Sequence, residues 1–144
     1  MNIKIKKIKE NAIIPTYGSE YSAGADLYAC IDEPITINPH CTEKIGTGLA
    51  FELPEGYFGA IAARSGLATK QGLAPSNKLG VCDEDYRGEY IVPLHNHSDE
   101  CAIIYPNQRI AQLIFLPYLS AQFIETDELS DTKRGDGGFG STGQ

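Results

Sequence analysis

The chain has 144 residues, 42% of them hydrophobic, and a formal net charge of −7. That length fits one domain with a sizeable core. The acidity argues against a DNA or RNA polymer as partner, but leaves room for a small phosphorylated ligand held by a few local Arg residues. No apolar run approaches the roughly 20 residues of a membrane span. The N-terminal MNIKIKKIKE lacks the apolar segment of a secretory signal, so a cytoplasmic location is expected.

Short runs rich in Ile, Val, Tyr, Phe and Leu, separated by Gly, Pro and Asn, predict strands. They fall near Ile3–Lys9, Ala25–Ala29, Glu43–Glu52, Gly59–Arg64, Gly88–His95, Ala102–Tyr105, Arg109–Phe115 and Gln122–Thr126, and Leu79–Cys82 also reads as buried strand. Between them stand Pro34, Pro39, Pro54–Gly56, Pro75–Asn77 and Pro106–Asn107. Ser65–Gln71 predicts a brief helix, ended by Gly72. The expected fold is all-β, a jelly-roll-like sandwich or barrel over residues 1–133, with 134–144 as a flexible Gly-rich lid. Cys30, Cys41, Cys82 and Cys101 show no CxxC spacing and lie in or beside apolar runs. They read as reduced thiols acting as small hydrophobes, not as a zinc site.

Polar residues inside this β-pattern mark the candidate chemistry. Asp26 in AGADLYA sits among small and apolar residues, where an unpaired carboxylate is costly. It reads as a turn Asp satisfied by backbone N–H groups or as a carboxylate facing a metal; the residues alone favour the turn. Arg64, Ser65 and Gly66 in ARSGLA offer a guanidinium fork, a hydroxyl and close backbone approach to phosphate. A surface Arg beside a helix-capping Ser explains the triplet equally well. In GVCDEDYRGEY, Glu84 and Asp85 fit a solvated turn, whereas Asp83 ends a strand and can orient a water. Tyr86 can pack against a sugar or be a half-buried hairpin aromatic. In QRIAQLI, strict alternation puts Ile110, Gln112 and Ile114 on one face, opposite Arg109, Ala111 and Leu113. Gln112 then needs a backbone or phosphate partner. The terminal RGDGGFGSTGQ combines Gly-rich backbone, Arg134, Ser141 and Thr142 with the flat ring of Phe139, a set suited to closing over a nucleotide. His95-Asn96-His97 reads as surface loop.

Taken in order and spacing, these five segments resemble the five motifs of the trimeric dUTP pyrophosphatases (dUTPases), from about Ala23 to Gly143. The resemblance implies hydrolysis of dUTP to dUMP and pyrophosphate with Mg²⁺, in a homotrimer whose sites lie at subunit interfaces. Asp83 would position the water that attacks the α-phosphorus, and Tyr86 would stack under the deoxyribose. Main-chain groups at Gly80, Val81 and Cys82 and near Ile91, with Asn77, would read the uracil edge. Arg64, Ser65, Gly66 and Gln112 would hold phosphates, and Asp26 would meet Mg²⁺ through waters. Phe139 would stack on uracil, while Arg134, Gly140, Ser141 and Thr142 grip the terminal phosphate.

The chemistry is consistent with those roles. A triphosphate carries about four negative charges and suits a hard cation that keeps several waters. An ordinary Asp, with a pKa of about 3.9, is a weak base for water, so the rate must rest on positioning and charge stabilisation. The chain departs from the family pattern at Ala63 (usually Pro), at Asn107 and Gln108 (usually Gly and an acid), and at Cys82 (usually aliphatic). Asn107 tolerates the left-handed conformation Gly would adopt; Gln108 removes an acid; Cys82 suggests an oxidation-sensitive site. A dCTP deaminase-like relative is the competing enzyme, disfavoured by Gly66 and Tyr86. A non-catalytic nucleotide sensor or protein-binding β-trimer is disfavoured by the intact Asp83.

Overall fold

The structure, a computed structural model, describes residues 1–138. Within them run β1 (Lys4–Lys7), β2 (Thr16–Tyr17), β3 (Ala25–Tyr28), β4 (Ile35–Ile37), β5 (Thr42–Gly46), β6 (Leu49–Glu52), β7 (Tyr57–Ala62), α1 (Ser65–Gln71), β8 (Leu73–Pro75), β9 (Gly80–Cys82), β10 (Ile91–Asn96), β11 (Ala102–Ile104) and β12 (Arg109–Pro117). A five-stranded sheet runs β2-β3-β12-β7-β9, and smaller sheets run β5-β10-β8, β1-β6 and β11-β4. Every pairing is antiparallel. One apolar core joins them: Leu27, Ile61 and Leu113 of the large sheet pack in the same cluster as Ile37, Ile45, Phe51, Leu73, Val92, Leu94 and Ile104. The result is the expected all-β sandwich, without a closed barrel. Among the described residues no helix is long and apolar enough to cross a membrane.

Alternation explains the short strands. In β10, Val92, Leu94 and Asn96 point inward, so His95 and Asn96 belong to a strand and not to the expected surface loop. Asn96 is fully buried, and its side chain is satisfied: Nδ2 donates to the carbonyls of Ile37 (3.0 Å) and Glu100 (2.7 Å), and Oδ1 accepts from the Ser98 amide (3.0 Å) and hydroxyl (2.8 Å). Helix α1 spans the expected residues. Gly72 ends it at φ 65°, its N–H donating to the carbonyls of Ala68 and Leu67.

Three strand expectations need correction. Glu43–Glu52 is two strands, because the chain turns at Thr47-Gly48. Gly48 has φ 67°, and a Cβ there would lie 2.8 Å from both Ala12 Cβ and Cys30 Sγ. Leu79–Cys82 is not a buried strand throughout, since Leu79 and Val81 are exposed and only Gly80 and Cys82 turn inward. Gln122–Thr126 is no strand: it finds no pairing partner among the described residues. It belongs instead to an arm after β12 in which every residue from Tyr118 to Asp136 is exposed, with Phe123 at 96% and Leu119 at 98%.

Candidate active site

The first candidate pocket, of about 240 Å³, opens beside β9 and the start of β10. Among the described residues β9 pairs with β7 alone, through Gly59↔Cys82, Ala60↔Val81 and Ile61↔Gly80. Its other edge therefore leaves backbone donors and acceptors unused by the sheet, ready for a flat hydrogen-bonding ligand. Asn77, Gly80, Val81, Cys82, Asp83, Tyr86 and Ile91 all line this pocket, so among the described residues it unites those assigned to base, sugar and attacking water. Asp83 is exposed at the strand end, and the turn beyond it closes by a Tyr86 N–H to Asp83 carbonyl bond of 3.2 Å.

Cys82 is the inert floor of this pocket. It is buried, and desolvation pushes its thiol up to about 11. Thiol reactivity follows thiolate character and access, and Cys82 has little of either near neutral pH, so the expected oxidation sensitivity is not supported.

The second candidate pocket, of about 430 Å³, gathers Asp26, Arg64, Ser65, Gly66 and Gln112. Asp26 is not a turn residue: it lies inside β3 and is buried, and among the described residues its carboxylate takes no backbone N–H. Two guanidinium groups neutralise it instead, Arg64 Nε on Oδ1 at 2.7 Å and Arg109 Nη1 on Oδ2 at 3.2 Å. This also removes the helix-capping reading of the triplet. Arg64 occupies the cap position in an extended conformation without capping through its side chain, and Ser65 is the first helical residue. Gln112 Nε2 donates to the Ala63 carbonyl at 2.8 Å. Its amide can sit there because Gly24 opposite has no side chain; a Cβ would stand 2.6 Å from Gln112 Oε1.

Arg109 is the functional candidate that strict alternation misplaced. Its register slips between Arg109↔Tyr28 and Ala111↔Leu27, so β12 carries a bulge at Ile110. The extra residue turns Ile110, Ala111 and Leu113 into the core and puts Arg109, Gln112 and Ile114 together in the second pocket. The expected face, Ile110 with Gln112, is thus corrected. Asn107, just before the strand, has φ 63°, as a Gly substitute should. Gln108 Oε1 accepts from the Tyr105 N–H at 2.9 Å, a role an acid could equally fill.

Among the described residues Asp26 is the only acid lining the second pocket, and no group of three His, Cys, Asp or Glu could hold a metal ion. A cation here finds no protein cage. Asp26 still has lone pairs for bound water, which fits Mg²⁺ carried mainly by phosphate oxygens and waters. The net balance of Asp26 against Arg64 and Arg109 is one positive charge, favourable to an anion.

The two pockets share no residue. Arg134 lies on the exposed arm, its Nε donating to the Gly137 carbonyl at 2.8 Å, and belongs to neither pocket. Phe139, Gly140, Ser141 and Thr142 lie outside the described residues.

An all-β sandwich with a backbone-edged slot, an acid at its mouth and a separate Arg-rich pocket has the equipment of a nucleotide-binding protein. Comparison with known proteins makes the class specific. The dUTPase family model matches residues 10–143. The deoxyuridine 5′-triphosphate nucleotidohydrolase of Nautilia profundicola is 49% identical over 144 residues, covering the whole of both chains. That of Hydrogenobaculum sp. is 46% identical over 143 residues, covering 99% of each. The solved structure of the Staphylococcus bacteriophage 80alpha dUTPase with dUpNHpp superposes with a TM-score of 0.89 at 26% identity, covering 99% of each chain. The chain belongs to the dUTPase family.

Proposed function

We propose that the protein hydrolyses dUTP to dUMP and pyrophosphate, which keeps uracil out of DNA and supplies dUMP for dTMP synthesis. The observation that carries the reading is the first pocket, where Asp83 and Tyr86 stand beside the unpaired edge of β9. Uracil lies along that edge, read by main-chain groups at Gly80, Val81, Cys82 and Ile91 with Asn77. Cytosine is rejected because its 4-amino group would meet a donor where uracil offers an oxygen, leaving buried donors unpaired. The deoxyribose packs on Tyr86, which leaves no room for a 2′-hydroxyl.

The Asp83 carboxylate accepts a hydrogen bond from water and aims its oxygen at the α-phosphorus. The new P–O bond forms as the bond to the α,β-bridging oxygen breaks. Pyrophosphate leaves, and the water's proton passes through Asp83 to solvent. Arg64, Ser65, the Gly66 backbone and Gln112 hold the phosphates in line, so catalysis is positioning plus charge stabilisation. Mg²⁺ would neutralise phosphate charge, with Asp26 accepting from its waters.

The phosphate residues and the water-positioning residue line separate pockets, which supports a site completed where chains meet, in a homotrimer. The arm supports the same reading, because apolar side chains as exposed as Leu119 and Phe123 call for a covering surface. Residues 134–144 act as a lid on a neighbouring chain's site, Phe139 on uracil and Arg134, Gly140, Ser141 and Thr142 on the terminal phosphate.

Pyrophosphate release from dUTP, UTP, dTTP and dCTP, with and without Mg²⁺, tests the reading. dUTP should be turned over by far the fastest, and only with the metal. Ammonia release from dCTP would overturn it.

A further inference from the structure

We propose that Tyr90 is a positioning residue that sets the preference for deoxyribose by holding the ring of Tyr86 from behind. The inference rests on Tyr86 meeting the sugar. Discriminating one hydroxyl requires that ring to keep its plane, yet Tyr86 sits on an exposed turn and is itself 46% exposed. Three features hold it. Its ring stacks on Tyr90, with centroids 6.0 Å apart and planes 28° apart. Its hydroxyl donates to the Glu89 carbonyl at 3.1 Å. Gly88 leaves space for the fold-back, since a Cβ there would come within 2.6 Å of Tyr86 Cζ.

Tyr90 is a rigid support. It is 1% exposed, and its ring tilts against Phe51 at 4.4 Å. Its N–H donates to the Leu49 carbonyl at 2.8 Å, and its carbonyl accepts from the Thr47 N–H at 3.2 Å and hydroxyl at 2.7 Å. Glu89 Oε1 accepts from the Gly48 N–H at 2.7 Å. The end of the turn is thereby bolted to the Thr47–Leu49 corner between β5 and β6, continuing the β5–β10 pairing, and the stack Phe51–Tyr90–Tyr86 carries that rigidity to the pocket. The Tyr90 hydroxyl takes no part: it is buried beside the Cys82 thiol and makes no hydrogen bond to Tyr86. The ring, not the hydroxyl, does the holding.

The test is the ratio of kcat/KM for dUTP to that for UTP, measured well below the unfolding temperature of each variant. Tyr90→Phe should keep the ratio. Tyr90→Leu, which keeps an apolar plug but removes the stack, should lower it about three- to ten-fold. Gly88→Ala should lower it similarly, by pushing the Tyr86 ring off Tyr90 without touching the core, and stands in if Tyr90→Leu does not fold. A folded Tyr90→Leu or Gly88→Ala with the wild-type ratio overturns the inference. Tyr86→Ala separates the two levels: if it also keeps the ratio, the placement of the sugar on Tyr86 is what fails.

Discussion

Gly66→Ala separates phosphate binding from stability, because the two should move in opposite directions. Gly66 is the second residue of α1 and is exposed. A Cβ built there meets nothing within 4 Å among the described residues, so the substitution strains nothing in the chain. Ala is a better helix former than Gly by up to about 1 kcal/mol in a helix interior. Near the first turn roughly half of that is expected, a rise in thermal midpoint of about 2 °C for a chain of this size. The empty space beside Gly66 belongs to the second pocket, where phosphate oxygens are proposed to approach the backbone. A methyl group in that space would weaken a charge-assisted hydrogen bond worth about 1.5–3 kcal/mol, so kcat/KM for dUTP should fall roughly 10- to 100-fold. Differential scanning calorimetry and pyrophosphate release on the same preparation give both numbers. A variant that is more stable and fully active would refute the close approach of phosphate to Gly66.

Asp83→Asn keeps the shape of the first pocket while replacing the carboxylate proposed to hold the water. It should bind dUTP within a few-fold of wild type in calorimetric titration, yet lose roughly 10²- to 10⁴-fold in kcat; near-normal turnover would remove Asp83 from the mechanism. Removing residues 134–144 should leave the thermal midpoint almost unchanged, since the hydrogen bonds of Arg134–Gly137 stay within that segment or reach only Thr132. Turnover should collapse, and retained turnover would show that the lid is not required. Cys82 gives a pH prediction. Its folded thiol is pushed up to about 11, against roughly 8.5 in an unfolded chain, so the folded state keeps a proton that the unfolded state releases. That contribution is whole below about pH 8.5 and disappears as pH rises towards 11. The urea midpoint should therefore fall over this range more steeply in wild type than in Cys82→Val, with equal slopes counting against the assignment. By the same burial, iodoacetamide at pH 8 should label Cys82 only after denaturation.

The parts of the fold that were legible in the sequence are those decided by neighbours in the chain. Ser65–Gln71 reads as a helix because Gly72 can take the left-handed conformation that ends it, and Asn107 survives in place of Gly for the same local reason. For the motif residues, side-chain type left bland readings open, such as a helix-capping Ser in the Arg-Ser-Gly triplet, and their proposed roles came from the order and spacing of the five segments together. The errors come where a partner distant in sequence decides. Gln122–Thr126 has the composition of a strand, but a strand needs an edge to pair with, and its own chain offers none among the described residues.

Arg109 shows the same limit inside the site. Alternation is a rule for an unbroken ladder, and it sends Arg109 to the face opposite Gln112. One inserted residue at Ile110 reverses that face, and nothing in QRIAQLI announces it, since Ile110 and Ala111 are equally acceptable in or out. What fixes the bulge is the pairing with β3 and the burial of Asp26, which lies 83 positions away in the chain from Arg109. A buried carboxylate with one guanidinium on each oxygen is far less costly than one left alone. The slip that brings Arg109 to Asp26 therefore follows from the carboxylate's need for a second partner. Asp26, read first as a turn residue or a carboxylate facing a metal, is not in a turn: it anchors two arginines at the second pocket, and the proposed contact with Mg²⁺ through waters adds to that role.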